Sequence, residues 1–226
     1  MSCMAALVPP QHLHSTAFEV MSLASGTCWI IAYALIIRRG YLDRSYGMPL
    51  VAVCVNISWE FIFTFLIPHE RPQSYINAGW LLLDLFILGQ LLLFWRSDFP
   101  KLDKVVFYPF TISALLASFG LIYTMAVEFD HCGAYSAYGQ NFLMSILFMI
   151  MLFQRNSLLG QSVYIALAKM IGTALYSVSA YLFVPLLQHS AVLQYLVLTI
   201  LFFDLSYVAA VCYVARKEHI PVWRRL

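Results

Sequence analysis

Seven apolar stretches, at 18–37, 48–67, 78–95, 105–127, 138–153, 162–184 and 191–215, leave this 226-residue chain few ways to fold. Each approaches the twenty or so residues a helix needs to cross a hydrocarbon core about 30 Å thick at roughly 1.5 Å per residue. Backbone polar groups find no water there, so a spanning segment must satisfy them internally, as a helix does. Composition agrees, with 62% of residues hydrophobic and 11% charged. The expected fold is all-α: a polytopic membrane protein forming one domain over 1–226, a bundle of seven transmembrane helices. No connection between the stretches is long enough for a soluble domain.

Basic residues set the orientation. One set of connections holds Arg38, Arg39, Arg44, Arg96, Lys101, Lys104, Arg155, Arg216, Lys217, Arg224 and Arg225, while the opposite set holds Arg71. That bias predicts a short lumenal or external tail at 1–17 and a cytosolic basic tail at 216–226. The first segment lacks the basic flank of a secretory signal. The remaining cation, Lys169, falls inside the sixth span.

Ionisable groups inside spans need a reason, because a charge facing lipid costs about 2.5 to 3.5 kcal/mol even on the most lenient scale. Four such groups are present: Glu60, Asp84, Lys169 and Asp204. Counted along ideal helices, Glu60 lies about 18 Å and Asp204 about 19 Å from the starts of their spans, so both reach mid-depth. If spans two and seven are neighbours, the two acids share one pocket. Burial penalises the charged form, so Glu60 with no cation beside it keeps its proton and is a candidate acid. Asn56 and Thr64 lie one turn either side of it, and Tyr207 shares the face of Asp204, where its phenol could hydrogen-bond the carboxyl. Further polar groups are Asn77, Trp80 and Asp84 in span three, Gln140, Asn141 and Ser145 in span five, and Lys169, Thr173, Tyr176 and Ser177 in span six. Polar side chains also glue membrane helices together, and structural glue, such as a Lys169–Asp84 ion pair, is the favoured reading of those two residues. For Glu60 and Asp204, chemistry is favoured.

Other chemistries find little support. The six histidines sit in tails or near span ends, with no pair at ligand spacing on one helix, so no metal is expected. No aspartate-rich cluster suits a magnesium-bound diphosphate. The five cysteines are scattered, and a disulfide framework is not expected. A net charge of +2, spread between apolar runs, argues against nucleic acid as a partner.

The segments Asn56-x-x-Trp59-Glu60-Phe61, Gly139-Gln140-Asn141-x-x-x-Ser145, Lys169-x-x-Gly172-Thr173 and Asp204-x-x-Tyr207 resemble the small membrane terpene cyclases of fungal meroterpenoid and indole-diterpene pathways. The resemblance covers nearly the whole chain. It implies a cyclase without cofactor or metal that protonates a terminal epoxide, or an alkene, of a prenyl chain carried by an aromatic, polyketide or indole head group. Glu60 and Asp204 would be catalytic; Asn56, Trp59, Asp84, Gln140, Asn141, Lys169 and Tyr207 would bind or orient. The implied substrate is lipophilic and arrives through the bilayer, and the implied location is the endoplasmic reticulum. Trp59, adjacent to Glu60, points about 100° away from it, which favours packing over cation stabilisation.

The main alternative is a small seven-helix transporter of the PQ-loop type, suggested by size, topology and the dipeptide Pro72-Gln73. That dipeptide lies outside the spans and has no second copy in a related repeat, which such a transporter should display. A retinal-type receptor would need its lysine in the last span, where none occurs.

Overall fold

The computed structural model describes residues 15–71 and 73–226, all helix and connection without a strand among them. Of the tail expected at 1–17, residues 1–14 lie outside that set, and from Thr16 the chain is already helical. The long helices are α1 (Thr16–Asp43), α2 (Leu50–Phe61), α3 (Gln73–Phe94), α4 (Lys104–Glu128), α5 (Ala134–Arg155), α6 (Val163–Phe183) and α7 (Ala191–Lys217). A π-helical turn, Ile62–Leu66, extends α2, and a one-turn helix, Pro185–His189, joins α6 to α7.

Six of these helices, all but α2, are long and apolar enough to cross a membrane. Even with its π turn, the α2 segment Leu50–Leu66 is shorter, about 25 Å at the usual rise. The fifth helix starts four residues before its apolar run, at Ala134. Local chemistry explains the boundaries. Side chains of Asp103, Ser162 and Ser190 accept hydrogen bonds from the first-turn amides of α4, α6 and α7, supplying partners that a helix start lacks. Pro185, which has no amide proton, ends α6 after Phe183.

Contacts between helices trace a closed ring. Helix α1 packs on α6 and α3, α3 on α2, α2 on α5, α5 on α7, and α7 on α6. Helix α4 leans on the outside of α2. It buries one stripe, Phe107, Thr111, Ser118, Ile122 and Ala126, and turns Val105, Ile112, Leu116 and Leu121 outward. Spans two and seven are therefore not packed as one pair: α5 stands between them.

The basic end of the bundle is tied shut. Asp43 pairs with Arg39 and with Arg225, and also accepts the Gly160 amide at 2.8 Å. Arg155 grips both oxygens of Asp98, whose carboxylate also accepts the Tyr46 hydroxyl at 2.5 Å. Burial and Asp98 hold the Tyr46 phenol well above its usual range. Gly160 has φ of 71°, and a Cβ there would lie 2.6 Å from the Tyr46 carbonyl oxygen, so only glycine fits.

At the opposite end, His69 stacks on Phe63 with centroids 4.9 Å apart and makes ring-nitrogen hydrogen bonds with the Cys132 carbonyl and Asn77. Burial lowers the His69 pKa, while the Cys132 carbonyl and Asp130 oppose that shift. Asp130 accepts from the amides of Tyr135 and Ser136, fixing the start of α5. Cys28, Cys54 and Cys212 are free thiols. Cys132, by contrast, is disulfide-bonded.

Candidate functional site

Each helix of the ring contributes a polar side chain to its interior, and these gather into two clusters. In the first, Glu60 of α2 is 2% exposed and its Oε1 accepts a long hydrogen bond from the Tyr33 hydroxyl of α1 at 3.5 Å. Asn56, one turn before Glu60, donates from Nδ2 to the same phenol oxygen at 2.8 Å. Asp84 of α3, fully buried, approaches Glu60, Asn56 and Tyr33. Its geometry nonetheless leaves neither carboxyl oxygen with a hydrogen bond, and Glu60 Oε2 has none either. The ionisable groups acting on these carboxyls are each other and Tyr33, with no cation among them. Charge on both acids at once is therefore strongly disfavoured. The π turn begins two residues after Glu60; such insertions rearrange a helix locally and recur at functional sites. Thr64, expected to keep Glu60 company, has a buried hydroxyl without a partner.

The second cluster joins α5, α6 and α7. Lys169 Nζ donates to Asp204 Oδ1 at 2.7 Å and to Ser145 Oγ at 2.7 Å, and Ser145 Oγ donates to Asp204 Oδ1 at 2.8 Å. Lys169 and Asp204 are each 2% exposed. Lys169 thus pairs with Asp204, not with Asp84 as the sequence suggested. The second oxygen, Asp204 Oδ2, is buried without a partner. One turn along, Asn141 Nδ2 donates to Thr173 Oγ1 at 2.9 Å and ties α5 to α6.

Helix α1 bridges the clusters. The Trp29 ring lies 5.9 Å from Lys169 Nζ and 5.8 Å from the Tyr33 ring, centroid to centroid, and Tyr33 in turn reaches Glu60. Neither Trp29 nor Tyr33 stood out in sequence, because aromatic residues in a spanning run are usually packing or interfacial belt. A weak signal existed: they sit four residues apart, on the same face as Ser25.

The remaining expected site residues are scattered. Trp59 Nε1 donates to the Gly133 carbonyl and to Ser136 Oγ, both at 3.1 Å, so it packs α2 against the start of α5. Tyr207 donates to Gln161 Oε1 at 2.7 Å and makes no hydrogen bond to Asp204. Gln140 Oε1 is buried and unpartnered. Native proteins leave few buried polar atoms unpaired. Here one oxygen each of Glu60, Asn56, Gln140, Asn141 and Asp204, both oxygens of Asp84, and Trp80 Nε1 are left so on the ring's own helices. Two apolar grooves, of about 220 and 290 Å³, lie elsewhere, one beside Pro49 and Phe107 and the other beside Met21 and Leu205. No three metal-ligating residues come together among the described residues.

Comparison with known proteins bears on what this interior is for. No solved structure matches the chain. A terpene cyclase of the Pyr4 family from Annulohypoxylon moriforme, mfmH, is 30% identical over 156 residues, 67% of this chain and 64% of the relative. The terpene cyclase andB of Emericella variicolor is 26% identical over 167 residues, 70% of this chain and 69% of the relative. The terpene cyclase pyr4 of Aspergillus fumigatus is 33% identical over 82 residues, 35% of this chain and 34% of the relative. The chain therefore matches just under two thirds of one of these relatives and a third of another. The transporter alternative is not favoured by any of this. A family model, Pyr4-like transmembrane terpene cyclases, matches residues 3–218, and the chain belongs to that family.

Proposed function

We infer that the protein cyclises a lipophilic prenyl chain, carried by an aromatic, polyketide or indole head group, by protonating its terminal epoxide without a metal. The observation that carries this reading is Glu60: a buried carboxyl with one oxygen unpartnered and no cation acting on it. Such a group is kept neutral by its surroundings and so can serve as an acid.

In this mechanism the Glu60 proton passes to the epoxide oxygen as the adjacent C–O bond opens toward the more substituted carbon. The electron pairs of neighbouring alkenes close the rings in turn, and loss of a proton from carbon ends the cascade, balancing the proton delivered at the start so that Glu60 regains its acid form. The product is an isomer of the substrate, so no oxidant or second reactant is consumed. Water must be kept out, since it would capture the cation. The faces of Trp29 and Tyr33, between the clusters, favour positive charge by about 0.5–2 kcal/mol each. Asn56 and Tyr33 hold Glu60 in place. Asp204, fixed by Lys169 and Ser145 in the second cluster, is the other carboxyl of the mechanism and offers its unpartnered Oδ2 to the substrate. Gln140 and Asn141 line the approach to it.

Seven spans follow if α2 and its π turn cross a locally thinned bilayer. The amino terminus is then lumenal and the carboxy terminus cytosolic, in the endoplasmic reticulum. The oxidised Cys132 at the end opposite the basic one supports that orientation.

The test is incubation of membranes containing the protein with a panel of prenylated aromatics bearing a terminal epoxide. Cyclic isomers of unchanged mass are expected, and Glu60→Gln should abolish them while the protein remains inserted. Undiminished product from that variant would refute the acid role.

A further inference from the structure

Asp84 has lost the structural explanation that sequence offered for it. Lys169, its expected partner, is held on α6 by Asp204 and Ser145. Asp84 itself, fully buried on α3, has no cation beside it and leaves both oxygens without a conventional donor. What it stands beside, where α3 packs on α2, is Glu60, whose Oε1 is the oxygen that takes the Tyr33 hydroxyl and whose Oε2 is left without a partner. No cation is at hand to stabilise the anion that Glu60 becomes after giving up its proton.

We propose that Asp84 is a positioning residue for the acid: its protonated carboxyl hydrogen-bonds the Glu60 carboxylate formed as the epoxide opens. This rests on the protonation mechanism above. The Glu60 O–H bond breaks, its proton joins the epoxide oxygen, and the bonding pair stays on the Glu60 oxygen, where the Asp84 O–H is donated to it. Asp84 keeps its own proton throughout. Hydrogen bonding to the charged form strengthens an acid, and donation to an anion is the stronger kind of hydrogen bond. The same contact also makes the carboxylate a poorer nucleophile toward the neighbouring carbocation.

The test uses full-length protein in membranes and whichever epoxide-bearing prenylated phenol of the panel the wild type cyclises. Asp84→Leu removes the donor, and kcat should fall ten- to hundredfold with KM held within threefold. Asp84→Asn keeps an N–H donor and should retain kcat within tenfold. A purely structural Asp84 would give no such order and no such split between kcat and KM. If Asp84→Leu does not fold, Asp84→Ala carries the same expectation. Full kcat in Asp84→Leu or Asp84→Ala, alongside an inactive Glu60→Gln, overturns this proposal and leaves the acid role of Glu60 standing. An active Glu60→Gln, or a panel of which nothing is cyclised, overturns both.

Discussion

The Lys169–Asp204 pair offers the sharpest energetic test of the structure. Its atoms lie 2.7 Å apart, and both side chains are 2% exposed. Removing one partner of a buried pair costs about 3–5 kcal/mol, whereas replacing both with apolar residues is often neutral or stabilising. In Asp204→Asn, the ammonium keeps the Ser145 hydroxyl at 2.7 Å and the Trp29 face at 5.9 Å. Those contacts return about 0.5–2 kcal/mol, and a chain unfolded within a bilayer finds partners of its own. A net loss of about 2–4 kcal/mol is therefore expected for Asp204→Asn, and under about 1 kcal/mol for Lys169→Met with Asp204→Leu. Unfolding by SDS titration in mixed micelles, followed by tryptophan fluorescence, measures both. An Asp204→Asn variant within about 0.5 kcal/mol of wild type, or a double variant as unstable as the single one, would refute the buried pair. Cyclisation should also be lost in Asp204→Asn, because the Lys169 ammonium, left without its counter-ion against the Trp29 ring, opposes positive charge there.

Three further outcomes are expected. Gly133 has φ of 65°, and a Cβ there would come within 2.6 Å of the Phe63 ring, so Gly133→Ala should cost about 1–3 kcal/mol, read as a drop in melting temperature. The lowered pKa of His69, caused first by its burial, contributes stability present in full above the ordinary imidazole value of 6.5. That contribution is lost as the pH falls from there through the folded-state value. Melting temperature should therefore drop below about pH 6.5 and drop less in His69→Gln; equal acid sensitivity in the two proteins would remove His69 as the cause. Chelation of divalent cations should leave cyclisation unchanged, and a loss reversed by added magnesium would contradict the metal-independent mechanism.

Much of the fold was legible along the chain, for a physical reason. Lipid forces each crossing segment to be a helix, so hydropathy and the sequence positions of charges mark the helices without knowledge of packing. The boundaries at 105–127 and 162–184 moved by only one residue at either end in α4 and α6. The first run, 18–37, extends to Asp43 because Arg39 and Asp43 pair across one turn beyond the apolar stretch.

Sequence placed Glu60, Asp84, Lys169 and Asp204 within apolar runs, and Glu60 and Asp204 about midway along theirs, because that position depends only on counting residues from a run's end. Which of them meet was decided by the order of helices around the ring, and along-chain periodicity carries nothing about that. With α5 between α2 and α7, Glu60 faces Asp84 and Tyr33, while Asp204 takes Lys169 and Ser145. A helix's own pattern says which residues share a face; only packing against particular neighbours says what that face meets.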